Sequence, residues 1–357
     1  MAIRAGGWPI PAANGAFFPT IVVRREPKRV ARRPTNVDEG RREGIADEEK
    51  DALVGSLVLD RFLIERRIGS GGFGVVYEAW DGRLERPVAV KAIEQHGASA
   101  ADRVLREAQA AARLNHPGIV TLYEMGEEDG NALLVSELVE GDTLARLATE
   151  DALSDREVGE IGADLCEALD HAHSRGVIHR DIKPQNVQVV DGQPRAKLMD
   201  FGIALVADAA GLTQTGDVVG TLAYMSPEQA EGREAGPEAD IYSLALTLYE
   251  CWSGENPHRR GNAVATARSI GRRPRPLRRL RPDLPRELTE EIDACLDARP
   301  RHRPSLEELG TAIEDSLDQL AEHSGGGSRH LGLRFGAIGL AATVGALVVL
   351  GHGLVLP

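Results

Sequence analysis

Cysteine is scarce in this chain of 357 residues, with only three present, Cys166, Cys251 and Cys295, and no C-x-x-C spacing among them. That excludes a disulfide framework or a cysteine-built zinc site as the organising device, and it places the bulk of the chain in a reducing compartment. Excess positive charge is missing too. Lys plus Arg number 42 against 55 Asp plus Glu, so the formal net charge is −13, with the acids spread rather than blocked. Such a balance argues against a nucleic-acid backbone as the main partner. Lysine itself is rare, at 5 against 37 Arg. Where Arg is the default cation, a retained Lys marks a place where a compact ammonium is wanted. Lys91 and Lys183 stand out on that ground. Nor does an apolar h-region follow an early cationic start, so the N-terminus does not read as a signal peptide.

What is present is the composition of a globular protein, 42% hydrophobic and 27% charged. Residues 1–52 lack a sustained period, are Pro- and Gly-rich at first and then mixed in charge, and read as a disordered arm. From Leu57, short β-like runs ("LVLDRFLIERRI", "GVVYEAW", "PVAVKAI") are broken by Gly, Asp-Gly and Pro, the pattern of antiparallel strands and hairpins. A helical stretch ends at Pro117, two more strand-like runs follow, and from about 143 to 320 the long segments carry helical period. The fold expected is α+β and bilobal, a small β-rich N-lobe (53–140) before a larger α-helical C-lobe (141–320). Residues 321–334 contain "HSGGGS" and read as a linker. From Phe335 to Leu356 the chain is apolar apart from His352. As a helix it would extend about 33 Å, enough to cross a hydrocarbon core. Arg329 and Arg334 precede it, which orients the preceding domain to the cytoplasm. A buried C-terminal helix is the alternative, and the glycines of the run weaken the helix expectation.

Three stretches carry chemistry. "GSGGFG" (Gly69, Ser70, Gly71, Gly72, Phe73, Gly74) can be a flexible turn or a loop whose backbone N–H groups approach a phosphate, and alone it does not decide. Downstream, "VAVK" puts Lys91 on a strand expected to pair with the one after the Gly loop, where a cation could reach nucleotide phosphates. "HRDIKPQN" packs a carboxylate (Asp181), a cation (Lys183) and an amide (Asn186) into residues 179–186, and "LMDFG" adds a second carboxylate, Asp200. Phosphoryl transfer to a hydroxyl needs a carboxylate at the incoming O–H, a cation at the moving group and oxygen ligands for Mg²⁺.

Together these stretches resemble the eukaryotic-like protein kinases, most closely the bacterial serine/threonine kinases, from roughly Asp60 to Ile313. The resemblance implies ATP and Mg²⁺ as cofactors and proteins with Ser/Thr hydroxyls as substrates, with no nucleic-acid partner. Gly69, Ser70, Gly71, Gly72, Phe73 and Gly74 would then cover the phosphates, with Val76 and Ala89 above adenine. Lys91 would anchor phosphates with Glu107 as its helix partner, and Glu137 and Val139 would offer hinge backbone groups, beside a small gatekeeper, Ser136. Asp181 resembles the catalytic base, Lys183 the γ-phosphate lysine, and Asn186 and Asp200 the metal ligands. Thr221 would contact Asp181 and Lys183, Glu228 would pair with Arg303, and Asp240 would brace the catalytic loop. Thr213 and Thr215 are expected autophosphorylation sites meeting Arg180, and a homodimer would serve trans-autophosphorylation.

Three positions depart from the family pattern. Ala245 stands for a Gly, His258 for an aromatic and Gln188 for an apolar floor residue under adenine. The run "GRRPRPLRRLRPDLPR" (271–286) reads as a solvated loop, with an acidic substrate or anionic lipid as alternatives. The function expected is a single-pass, cell-membrane serine/threonine kinase with its kinase domain in the cytoplasm. The competing reading is a membrane-tethered pseudokinase scaffold, for which the full set Lys91, Glu107, Asp181, Asn186 and Asp200 would be superfluous.

Overall fold

The computed structural model describes residues 53–71, 74–94, 109–192, 195–201 and 217–321. Its first layer is a six-stranded antiparallel sheet in the order β1-β2-β3-β4-β6-β5, built from β1 (Leu57–Val58), β2 (Phe62–Gly71), β3 (Gly74–Asp81), β4 (Arg86–Glu94), β5 (Leu122–Glu128) and β6 (Asn131–Glu137). Alternation decides which face is inside: Tyr77 and Ala79 of β3 and Val88 and Val90 of β4 are buried with Phe62, Ile64 and Val135. The Asp81-Gly82 hairpin closes as its sequence suggests. Asp81 Oδ1 accepts from the N–H groups of Arg83 (3.0 Å) and Leu84 (3.2 Å), while Arg61 grips both carboxylate oxygens at 2.7 and 2.6 Å. Burial pushes that carboxyl up, but Arg61 and the two backbone donors hold it below the ordinary range.

The second layer is helical. After the two-residue β7 (Asp142–Thr143) come α1 (Leu144–Thr149), α2 (Asp155–His173), α3 (Asp217–Leu222), α4 (Pro227–Ala230), α5 (Pro237–Ser253), α6 (Ala263–Ala267), α7 (Leu277–Leu280), α8 (Arg286–Cys295) and α9 (Leu306–Glu314). Between α2 and α3, β8 (Val187–Val189) and β9 (Ala196–Leu198) complete a small sheet with β7. Helices α2 and α9 each start in a capping box, Ser154 with Glu157 and Ser305 with Glu308. α5 is buried nearly all round, which is why its apolar residues show no single stripe. Its Leu244, Leu248 and Trp252 meet Ile161 and Leu165 of α2, Ile292 of α8 and Leu309 of α9 in one core. Gly162 permits that approach: a Cβ there would stand 3.1 Å from Leu248 Cδ1 and 3.2 Å from Ile313 Cδ1. The three cysteines are buried, and none is in a disulfide.

One feature corrects the expectations for this half. The Arg-rich run is not simply a solvated loop: Leu277 is fully buried, and Arg281 is buried against Asp155, Nη2 to Oδ2 at 2.5 Å. The arm (1–52), most of the linker (from 322) and the apolar run 335–356 lie outside the described residues. Among the described residues no helix is long and apolar enough to cross a membrane.

Candidate active site

Between sheet and helices lies a cavity of about 960 Å³. Its roof is the β2–β3 edge, where Gly69 pairs with Val76 and Ser70 with Val75. Gly74 sits at φ +126°, and a Cβ there would fall 2.1 Å from the carbonyl oxygen of Ala92. Only glycine lets β3 run this close to β4. Gly72, Phe73 and Glu107 lie outside the described residues, as do Thr213 and Thr215. Val76 and Ala89 line the cavity together with Ser136, Glu137 and Val139 of the connection between the lobes. Among the described residues, nothing hydrogen-bonds the backbone of Val139, which leaves its donor and acceptor for a ligand. Glu137 itself is fixed: its carboxylate takes Lys197 Nζ at 2.5 Å. Gln188, on the β8 floor, also lines the cavity.

The catalytic loop is held from below by one carboxylate. Asp240, fully buried at the start of α5, accepts from the N–H of His179 (2.8 Å) and of Arg180 (2.7 Å), and its Oδ2 lies 2.7 Å from His173 Nε2. Gln229 Nε2 donates to the Arg180 carbonyl at 2.8 Å, so that residue is clamped on both sides. Such over-determination is what keeps Arg180 in its left-handed conformation, φ 66°. His179 carries the order to the next segment. Its Nδ1 accepts from the Asp181 N–H (3.2 Å), so the ring proton sits on Nε2 and is donated to the Met199 carbonyl at 2.7 Å. Its ring also packs on Phe201, 4.6 Å between centroids. The Met199 N–H in turn donates to the Asn186 carbonyl at 2.9 Å.

These clamps fix the acidic and basic groups. Asp181 Oδ2 accepts from Lys183 Nζ (2.8 Å) and Asn186 Nδ2 (2.9 Å), and all three residues are buried. Among the described residues nothing bonds Asp181 Oδ1. Lys183 Nζ also reaches Thr221 Oγ1 at 3.1 Å, tying the loop to α3. On the other side Asp200, at φ 59°, receives Lys91 Nζ at 2.8 Å. Burial pushes the Asp200 carboxyl up, but Lys91, with His179 and Lys183 behind it, reverses this and holds the group ionised below the ordinary carboxylate range. The arrangement therefore presents, around one cavity, an ionised carboxylate paired to a strand lysine, an ammonium and an amide, with a second carboxylate, Asp181, bonded to the last two. Asn186 and Asp200 offer hard oxygen donors of the kind a divalent cation takes together with phosphate oxygens.

Sequence reasoning anticipated Lys91, Asp181, Lys183, Asn186, Asp200, Thr221 and Asp240, and the structure brings them together. Glu228 and Arg303 pair as expected, at 2.6 and 2.8 Å. It missed His173, Gln229 and Lys197, which support the site from residues 67, 49 and 60 positions away from their partners. No local pattern marks them.

Comparison with known proteins agrees. A family model described as the protein kinase domain matches residues 62–312. Serine/threonine-protein kinase PknA of Mycobacterium tuberculosis is 40% identical over 259 residues, covering 70% of this chain and 59% of PknA. Serine/threonine-protein kinase PknL of the same species is 35% identical over 288 residues, covering 76% of this chain and 69% of PknL. Among solved structures, the twitchin kinase region from C. elegans superposes with a TM-score of 0.61 at 25% identity, covering 74% of this chain and 47% of that one. The chain thus spans under two thirds of the length of PknA. With the motifs, the two-layer fold and the family model all coinciding over the same residues, the chain belongs to the protein kinase domain family.

Proposed function

We propose that the protein is a serine/threonine protein kinase that transfers the γ-phosphoryl group of ATP to Ser/Thr hydroxyls of proteins. The observation that carries this is the bonded set Asp181–Lys183–Asn186–Thr221 facing the Lys91–Asp200 pair across one cavity. Asp181 Oδ1 accepts the substrate hydroxyl and orients it. Lys183 sits where charge develops on the moving phosphoryl, and Lys91 holds the phosphates from above. Val139 offers its backbone to the base, with Val76 and Ala89 over it. Mg²⁺, held by Asn186 and Asp200, would supply charge neutralisation between the phosphates. Among the described residues the buried Nε of Arg180 finds no hydrogen-bond partner, and a phosphate on Thr213 or Thr215 would give it one.

The apolar run 335–356, with Arg329 and Arg334 before it, supports a single span anchoring the domain on the cytoplasmic face of the cell membrane. A second copy would then lie within reach for trans-autophosphorylation.

The test is phosphoryl transfer from labelled Mg-ATP by the full-length protein beside Asp181→Asn, with phosphosites mapped by mass spectrometry. Loss of the general base lowers turnover by about 10²–10⁴-fold while nucleotide binding persists. Equal label in both proteins would rule out Asp181 as the base. Absence of label in both, with nucleotide still bound, would favour the pseudokinase scaffold.

A further inference from the structure

From Asn256 to Pro282 the sequence contains no Asp or Glu, although the chain as a whole carries a formal net charge of −13. Nine Arg fall in that interval. The fold sorts them. Arg281 turns inward to Asp155 and Asp283, and Arg259 is held by Glu250 at 2.9 Å and by the Tyr224 hydroxyl at 2.8 Å. The carboxylate of Asp293 is occupied by the N–H of Leu277. Arg268, Arg272, Arg273, Arg278 and Arg279 are all exposed, and among the described residues none is in ion-pair contact, Arg273 acting on Asp293 only through its charge. Val264, 61% exposed, lies on α6 one turn before Arg268. Exposed cations with an exposed apolar side chain suit an anionic interface rather than water alone.

The chain's exit fits that surface. The Ala321 carbonyl accepts from the Arg156 N–H at 3.1 Å, and Arg156 Nη1 donates to the Leu317 carbonyl at 3.1 Å. Asp155, the adjoining residue, is the one that holds Arg281. The described chain therefore ends beside the root of the Arg-rich segment. Residues 322–334 separate that point from the apolar run, a reach of at most about 45 Å.

We propose that the Arg surface of α6–α7 rests on an anionic phospholipid surface, so that the domain is oriented on the bilayer as well as tethered to it. The orientation rests on the proposed span at 335–356, which keeps the domain within reach of the membrane. Anionic lipid is favoured over an acidic protein because the chain leaves the domain next to this surface towards its apolar run. Each guanidinium near an anionic leaflet adds attraction that falls away within a Debye length, so the contact is sensitive to salt.

The test places a polarity-sensitive maleimide probe on Val264→Cys in the full-length protein, the native cysteines being buried. The protein is reconstituted into vesicles of phosphatidylcholine, with or without phosphatidylglycerol. The expected result is a blue shift only with phosphatidylglycerol, reversed by high salt. Combining Arg272→Gln, Arg273→Gln, Arg278→Gln and Arg279→Gln should lower the shifted fraction by about tenfold or more, with unfolding temperature unchanged. The same emission on both vesicles would overturn the proposal. So would a shift induced by soluble polyglutamate but not by phosphatidylglycerol, which would assign the surface to an acidic protein. Flotation of the unlabelled chain on phosphatidylcholine at high salt reports the span separately. If it fails while salt-sensitive flotation with phosphatidylglycerol persists, the Arg contact stands and the span falls.

Discussion

Replacing Arg303 by Met removes the cation from an ion pair whose side chains are 0% and 2% exposed. Its guanidinium meets Glu228 Oε1 at 2.6 Å and Oε2 at 2.8 Å, and also donates to the carbonyls of Glu238 (2.7 Å) and Asp297 (2.9 Å). One side chain thus ties α4, the first turn of α5 and the loop after α8. Met fills much of the volume but leaves the Glu228 carboxylate uncompensated, a loss of about 3–5 kcal/mol. Set against a typical domain stability of about 5–15 kcal/mol, that is a large share. For a domain of this size it corresponds to a fall of roughly 6–20 °C in unfolding temperature.

The deficit also has a pH signature. Burial pushes the Glu228 carboxyl up, and the hydrogen bond and charge of Arg303 bring it below its ordinary 4.5. In the wild type the pair therefore contributes stability above that ordinary value, and the contribution is lost as pH falls through the lower folded one. Without Arg303 the upward push of burial is opposed only by the hydrogen bonds from the Glu228 N–H and from Ser226, so the variant gains relative to wild type as acidification neutralises Glu228. Thermal unfolding followed by intrinsic fluorescence at pH 7 and pH 5 reads both effects, and Glu228→Met combined with Arg303→Met closes the cycle. The double variant should lose less than the two single losses added together. Single losses below about 1 kcal/mol that simply add, with no dependence on pH, would refute the buried-pair account.

Two further outcomes follow from single contacts. Gly74→Ala sets a Cβ against the Ala92 carbonyl at a left-handed φ. Strain of about 1–3 kcal/mol should weaken nucleotide binding roughly tenfold in a fluorescent-nucleotide titration, and unchanged affinity would mean that the loop has room to move. His258, stacked beside Tyr242 with its Nε2 2.8 Å from the hydroxyl, is pushed down from 6.5 to about 4 by burial and by Arg260. Kept neutral in the fold, it should lose the protein up to about 3 kcal/mol as pH falls from 6.5 towards 4. His258→Phe should flatten that part of the stability curve, and an equally steep curve would exclude His258 as its source.

Much of the fold and site was legible because the chemistry is written in short stretches. Glycines that admit a close backbone, a carboxylate two residues from a lysine, and an Asp before Phe-Gly are local statements about residue type. The alternating apolar residues of β3 and β4 were equally readable, since period 2 with one buried face leaves little choice. What was not legible is what holds the stretches in place. His173 and Asp240 are 67 positions apart, Gln229 and Arg180 are 49 apart, and Asp155 and Arg281 are 126 apart. Neither member of such a pair looks unusual alone, because each becomes costly to bury only once the topology has brought it inside.

The Arg-rich run shows the same limit from the other side. As composition it is one block of cations, and a solvated loop is the ordinary expectation for such a block. In the fold it divides. Arg281 becomes an interior strut under α2, and Leu277 anchors the segment to the core. Arg286 pairs with Glu290, while the guanidinium groups of Arg272, Arg273, Arg278 and Arg279 are left on the outside and in no ion pair among the described residues. A solvated loop would have no reason to be pinned at both Leu277 and Arg281. A surface meant to present its cations at a fixed distance from the chain's exit does, because rigid placement lets several weak electrostatic contacts act together.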